Sequence, residues 1–434
     1  MESIVCKFGG SSVADEVSIR QIESIIRADK RRRFIVVSAP GKREADDQKI
    51  TDLLYLCHEL ADQGLDIEEP FHIIRGRFLD IARGLKVGLD IESILHEIYE
   101  QIKGGASSDL TASRGEYLSA RLLADYLGGV FIDAAEVVKF QSEGRIDGIT
   151  YELLAARLGE EHLYVIPGFY GSDANNKIRT FSRGGSDITG AIVSRGVGAS
   201  IYENWTDVSG FLMTDPGVVD NPKPMHSVTY REIRELSYMG AKVFHEEAIF
   251  PVSEAKIPIN IRNTHRPADP GTMIVHNRDR KENIIAGIAG KTGFSLISIE
   301  KLLMNRERGF GRRLFGILES HGISFEHAPT GIDTMSVIIS DEQLQDKAEI
   351  VMDEIKRVLS PDRIELFSGL ALIATVGEGM AYRPGVAAKL FTSLYEAGVN
   401  IRIIDQGSSE INIIVGVKSE DYSRAINAIY HAFC

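Results

Sequence analysis

The sequence predicts an α/β protein: an open, mostly parallel sheet sandwiched by helices, followed by two ferredoxin-like βαββαβ modules. Three observations predict it. Up to about residue 280, short apolar runs alternate with segments of helical periodicity, the pattern of parallel strands buried by crossover helices. Glycine-rich turns follow several of those runs, and open α/β sheets bind ligands beyond the carboxyl ends of their strands. Beyond residue 288 a motif recurs without gaps: Gly309, Leu314, Phe315, Leu318 and Gly322 match Gly385, Leu390, Phe391, Leu394 and Gly398, an offset of 398 − 322 = 76.

Taken in order, Ile4–Phe8 reads as a buried strand ending at Gly9-Gly10. Residues 15–27 have helical spacing through Val17, Ile19, Ile22, Ile25 and Ile26. Residues 33–37 form a second strand, closed by the turn Ser38-Ala39-Pro40-Gly41. Residues 51–60 and 114–127 are helical, the latter through Tyr117, Leu118, Leu122 and Leu123, so that Ser113-Arg114-Gly115-Glu116 opens its helix. Further strands are expected at 130–132, 162–167 and 200–203. A charged, non-periodic linker at 276–283 ends this region. The 76-residue offset also pairs Leu296-Ile297 with Leu372-Ile373, and Val337-Ile338-Ile339 with Ile413-Ile414-Val415. The closing helices of the two modules fall at 341–359 and 419–432. The domains are therefore expected at 1–280, 288–366 and 367–434, the last two able to interleave.

Composition narrows the function. The chain has 434 residues, is 44% hydrophobic and carries a net charge of −13. Such a chain repels nucleic acid and anionic lipid overall. Its three cysteines (Cys6, Cys57 and Cys434) form no CxxC pair, and no apolar run of about twenty residues occurs, so a cytoplasmic protein without a disulfide framework is expected. The basic run Lys30-Arg31-Arg32-Arg33 reads as a solvated helix C-terminus. Ala289-Gly290-Lys291-Thr292 imitates the end of a P-loop, but Ile285 stands where its first glycine belongs. GxGxxG, GxSxG and HExxH motifs are absent from the sequence.

The chemistry gathers at four turns. Lys7-Phe8-Gly9-Gly10-Ser11-Ser12 joins the first strand to the first helix, where glycine amides and a lysine suit a phosphate. Arg183-Gly184-Gly185-Ser186-Asp187 offers a second nest, an arginine fork for a carboxylate or phosphate, and a helix cap. Glu116 suits a helix dipole or a substrate ammonium. Asp207 and Asp215 follow the only tryptophan, Trp205, and suit turns, a ribose hydroxyl or metal-bound water, while Lys242 suits a second phosphate cation or the surface. Together they indicate phosphoryl transfer by positioning and charge neutralisation.

These motifs resemble those of the aspartokinases in the amino acid kinase family: KFGGSS at 7–12, SAPGK at 38–42, SRGE at 113–116, FSRGGSD at 181–187, WTDVSG at 205–210 and GAKVFH at 240–245. The tandem modules resemble that family's paired ACT domains. The resemblance implies transfer of the ATP γ-phosphoryl group to the side-chain carboxylate of L-aspartate, with Mg²⁺. It implies that Lys7 neutralises the phosphates, helped by the Gly9 and Gly10 amides and Ser11. Arg183 would grip the aspartate α-carboxylate and Glu116 its ammonium; Thr51 and Ser186 would orient it, and Asp187 would order the centre. Thr206, Asp207 and Lys242 would contact the nucleotide, and no residue is assigned as a metal ligand. Leu212 and Gly217 stand where relatives often have tyrosine and arginine. The ACT pair implies feedback by an end-product amino acid, lysine or threonine, and a homodimer or dimer of dimers. Its candidate effector pocket comprises Met304, Asn305, Gly309, Phe310, Gly311 and Arg312, joined by Ser324 and Glu326 on the next strand. Two alternatives remain at this point: another amino acid kinase, and an ACT-based sensor with an inactive kinase domain.

Overall fold

The computed structural model describes residues 2–159, 161–181, 184–241, 246–279 and 283–434. Arg183 and Lys242 lie outside the described residues. In chain order the first elements are β1 (Ile4–Phe8), α1 (Glu16–Ala28), β2 (Arg32–Val37), α2 (Ile50–Asp62), α3 (Glu68–Leu85), α4 (Ile91–Lys103), α5 (Ser108–Leu127), β3 (Val130–Phe131), α6 (Ala134–Val137) and α7 (Ile149–Arg157). There follow β4 (Tyr164–Pro167), β5 (Tyr170–Ser172), β6 (Ile178–Thr180), α8 (Gly185–Gly196), β7 (Ile201–Thr206), β8 (Ser227–Thr229), α9 (Tyr230–Tyr238), α10 (Glu246–Glu254), β9 (Ile259–Asn263) and β10 (Thr272–Val275). Compactness groups the chain into two units. One holds residues 1–211, 226–230 and 243–278; the other holds 212–225, 231–242 and 279–434.

The first unit is built on a sheet of order β3-β4-β2-β1-β7-β9-β10-β8. Every pairing in it is parallel except β9 with β10. Side-chain alternation divides β1 between two layers. Ile4, Cys6 and Phe8 enter a core shared with α1 to α5. Lys7 turns to the opposite face, where α8 packs on β1, β2 and β7.

Two local expectations change. Helix α5 begins at Ser108, capped by the Ser107 hydroxyl, so Glu116 lies in its interior rather than its first turn. One residue of the basic run leaves the water: Lys30 and Arg31 are exposed, whereas Arg32 is buried at the start of β2 and pairs with buried Glu203 at 2.8 Å. A strand start pointing into the core demands a partner for that charge, and sequence spacing gives no sign of Glu203.

The second unit contains β11 (Gly287–Glu300), α11 (Phe310–Ser320), β12 (Thr334–Ser340), α12 (Asp341–Leu344), α13 (Ala348–Leu359), β13 (Arg363–Val376), α14 (Val386–Glu396), β14 (Ile403–Asp405), β15 (Asn412–Lys418) and α15 (Tyr422–Phe433). Its antiparallel sheet has the order β12-β11-β13-β15-β14. The repeat is visible in the backbone. Gly309 and Gly385 take φ of 75° and 89° before α11 and α14, and Gly322 and Gly398 both take 65° after them. Leu314 and Leu390 are both fully buried.

Strands β11 and β13 pair along nearly their whole length, which interleaves the modules. β12 joins the later half of β11, and β15 joins the later half of β13. The early half of β11 thus borders the second module, where a strand after α15 was expected. In the first module the second strand is reduced to bridges at His327 and Thr330. The P-loop imitation at 289–292 is plain β11 strand.

Candidate active site

The carboxyl ends of β1, β2, β4 and β7 converge on one edge of the first sheet, and the glycine turns sit there. Lys7 and Asn204 are directly paired across β1 and β7, so their side chains share a face. Both reach Asp187 in the first turn of α8: Lys7 Nζ lies 2.6 Å from Oδ1 and Asn204 Nδ2 donates to the same oxygen at 2.7 Å. The Tyr202 hydroxyl donates to the Asp187 carbonyl at 3.1 Å. A lysine only 7% exposed is thereby held beside a carboxylate, close to the nest.

The nest is the turn Gly10–Val13. The Gly9 amide donates to the Trp205 carbonyl at 3.0 Å, and the Ser12 amide to the Gly9 carbonyl at 3.0 Å. Among the described residues, the Gly10 and Ser11 amides have no backbone partner. The amides left without a backbone partner are therefore those of Gly10 and Ser11, whereas Gly9 anchors the turn to β7. Gly10 is a glycine for close approach: a Cβ there would lie 3.0 Å from the Ala39 carbonyl oxygen and 3.2 Å from the Gly41 nitrogen.

The turn after β2 links this nest to α5. A Cβ on Gly115 would stand 2.6 Å from the Ala39 Cβ, so α5 presses on that turn and brings Glu116 to it. Glu116 is buried, and burial pushes its carboxyl up to about 8, despite opposing pulls from the Ala39 amide, Arg114 and Lys7. Its Oε2 has no partner among the described residues. A buried, unsatisfied carboxyl oxygen is an invitation to a cationic donor. Arg114, the neighbouring residue of the motif, is instead stacked on the rings of Tyr117 and Tyr170, at 4.5 and 5.6 Å.

Of the other expected residues, Thr51 lies half-buried in the first turn of α2. Ser186 packs against the turn after β4, where a Cβ on Gly168 would meet its hydroxyl at 2.7 Å. Thr206 ends β7, and its hydroxyl donates to exposed Asp207 at 3.1 Å. Sequence reasoning missed Asn204, a buried polar residue beside buried Glu203 in β7, and Ala39, whose amide faces Glu116 and whose carbonyl lies against Gly10.

In the second unit, Met304 and Phe310 belong to the first module's core, while Asn305 and Arg312 are exposed. A Cβ on Gly311 would lie 3.8 Å from the Met335 methyl group, so this glycine has room to spare. Stacking of Phe315 on Phe325 at 4.5 Å brings α11 against the Ser324–Glu326 stretch. The Ser324 amide donates to Gln343 Oε1 at 2.6 Å, and the Tyr238 hydroxyl donates to the Glu326 carboxylate.

Residues 2–263 match the amino acid kinase family, and residues 373–433 match the ACT domain. Aspartokinase 3 of Bacillus subtilis is 39% identical, the alignment covering 99% of this chain and 98% of the relative. The chain belongs to the aspartokinases. The solved aspartate kinase of Clostridium acetobutylicum is 51% identical, with a TM-score of 0.95 over 99% of this chain and 100% of that one. Escherichia coli aspartokinase III is also similar. Its complex with aspartate and ADP is 28% identical with a TM-score of 0.74, covering 99% of each chain. Its complex with lysine and aspartate is 27% identical with a TM-score of 0.77, covering 100% of each. The observed fold, a mostly parallel sheet with helices followed by an antiparallel ACT region, is that of this family.

Proposed function

We propose that the edge formed by Lys7, the Gly10–Ser11 amides, Glu116 and Asp187 transfers the ATP γ-phosphoryl group to the side-chain carboxylate of L-aspartate, giving L-4-aspartyl phosphate. Aspartate kinase activity is the activity of the family to which the chain belongs. The observation that carries the residue assignment is Lys7, buried and fixed by Asp187 and Asn204 beside two unpaired amides.

The acceptor carboxylate is ionised at neutral pH and needs no general base. Catalysis reduces to alignment and to cancelling charge as the phosphoryl group moves. Lys7 supplies the cation and the Gly10 and Ser11 amides the fixed dipoles. Glu116 receives the substrate ammonium on its unsatisfied oxygen, and Arg183 receives the α-carboxylate. Thr51 and Ser186 orient the substrate, Gly9 fixes the turn, and Thr206, Asp207 and Lys242 contact the nucleotide.

Among the described residues no group of three or more metal-ligating side chains occurs, and Asp187 Oδ1 is already engaged by Lys7 and Asn204. Magnesium fits this site as a companion of the nucleotide phosphates, whose charge it would neutralise, with Asp187 beside Lys7 as the candidate carboxylate. The ACT region takes an end-product amino acid, lysine or threonine, at the first module, with the ammonium on Glu326. The segments 1–280, 288–366 and 367–434 are the catalytic and two regulatory domains. Pairing of ACT modules between copies gives a dimer or dimer of dimers. The three cysteines are free thiols, which supports a reducing, cytoplasmic setting. No described helix is long and apolar enough to cross a membrane.

Trapping acyl phosphate with hydroxylamine tests the reading. Aspartate should give hydroxamate in proportion to ADP, glutamate and acetylglutamate should give none, and UMP should release no ADP. Turnover with another acceptor in preference to aspartate would overturn it.

A further inference from the structure

The loop that carries the Ala39–Gly41 turn into α2 is poorly anchored by its own residues. Ala39, Pro40 and Ile50 are buried, but none of residues 41–49 is. Two of its fixed points lie on one side chain from another helix. Arg77, in α3, is 3% exposed. Its Nη1 donates to the Gly41 carbonyl at 3.0 Å, and its Nη2 meets both oxygens of Asp47 at 2.6 and 2.5 Å. Asp47 in turn accepts from the Arg43 amide and Nε at 2.9 and 3.0 Å, closing the loop on itself.

Gly41 is the point of transmission, its carbonyl held by Arg77 in one peptide plane and its amide engaged in the preceding one. Its amide donates to the Gly10 carbonyl at 2.8 Å. A trans peptide points its N–H opposite to its C=O, so holding the Gly10 carbonyl against Gly41 aims the Ser11 amide away from the loop, toward the open side of the nest. The approach is too close for any side chain: a Cβ on Gly41 would sit 2.8 Å from the Gly10 carbonyl carbon and 3.0 Å from the Ser11 nitrogen. The same turn meets Gly115 through Ala39. A movement of the loop would therefore be felt by the phosphate-facing amide and by the helix bearing Glu116.

We propose that Arg77 is a positioning residue for phosphoryl transfer, clamping the Gly41 and Asp47 ends of the loop so that the Gly10–Ser11 peptide stays aimed at the migrating phosphoryl group. The inference rests on the site reading above. Burying an arginine against a half-buried carboxylate costs desolvation and is a poor device for stability alone, and Arg77 leaves its Nε buried without a partner among the described residues. What the fork supplies is geometry: one planar group fixes a carbonyl and a carboxylate at set positions.

The test uses the full-length enzyme with Arg77→Met, Arg77→Lys, Asp47→Asn and the double variant Arg77→Met/Asp47→Asn. Each kcat is measured per folded molecule, well below the thermal midpoint of each variant. Misalignment of about an ångström at a reacting centre lowers rate by up to about 100-fold, so Arg77→Met and Asp47→Asn are each expected to lower kcat by about 10- to 100-fold. The Michaelis constant for ATP should change less than kcat does. The double variant should match the singles, and Arg77→Lys should recover part of the rate. A merely structural role would lower the midpoint and leave kcat per folded molecule unchanged, and that result overturns the proposal. Should Arg77→Met not fold, Asp47→Asn decides, since it alters only the loop end. Lys7→Ala separates the two levels: if it keeps full activity the site reading itself fails, whereas an inactive Lys7→Ala beside fully active Arg77→Met and Asp47→Asn refutes only the clamp.

Discussion

A Glu116 that receives the substrate ammonium should make aspartate binding depend on pH in a calculable way. Its carboxyl is pushed up to about 8 by burial, from an ordinary value of 4.5, so the substrate-free enzyme holds it protonated at neutral pH. Only the ionised form attracts an ammonium. Apparent affinity falls in proportion to the competent fraction, which with this acidity is about one half at pH 8, about one eleventh at pH 7 and about one hundredth at pH 6. The KM for aspartate should therefore rise about 50-fold from pH 8 to pH 6, while that for ATP stays nearly level. Binding should also release a proton near pH 7, seen as a buffer-dependent heat in calorimetry. Steady-state hydroxamate assays across this range provide the measurement, with Glu116→Gln as reference: its KM should be high and flat. A flat profile in the unaltered enzyme would refute the reasoning. The sign for stability is the reverse of the usual carboxylate. Because the folded protein binds the extra proton, the substrate-free enzyme loses stability as pH rises from about 4.5 through about 8.

Other outcomes follow from the same geometry. Lys7→Ala should lower kcat by about 100- to 1000-fold, the scale of a lost transition-state charge contact, with smaller changes in either KM; an equal loss of ATP affinity would reassign Lys7 to ground-state binding. Arg183→Ala should raise the aspartate KM by about 10- to 100-fold, matching a lost charged hydrogen bond, and leave nucleotide binding intact by calorimetry. Gly115→Ala places a carbon 2.6 Å from the Ala39 Cβ and should destabilise by about 1–3 kcal/mol, measured by urea melts, and weaken aspartate binding. Glu326→Gln should abolish inhibition by lysine or threonine without altering uninhibited turnover.

Much of the fold is legible because periodicity reports burial. The strands at Ile4–Phe8 and Arg32–Val37, helix α1 and the 76-residue repeat all follow from apolar spacing and from glycines at positive φ. Helix α5 is misread at its start because Ser108–Ala112 is short and polar; its capping serine at 107 was the available signal. Strand sharing between the modules depends on pairing partners, which no local pattern encodes. At the site, Lys7, Glu116 and Asp187 stand out by motif. Asn204, Glu203 and Arg77 acquire meaning only once non-adjacent strands and helices meet: Lys7 opposite Asn204, Arg32 against Glu203, Arg77 on Gly41 and Asp47.

The most direct trial is a crystal structure of this chain with ADP and aspartate. The β-phosphate should lie within hydrogen-bond reach of Lys7 Nζ and of the Gly10 or Ser11 amide, and the aspartate ammonium should occupy Glu116 Oε2. Phosphates bound away from the turn after β1, or an ammonium far from Glu116, would contradict the assignment of this edge of the sheet as the site of transfer.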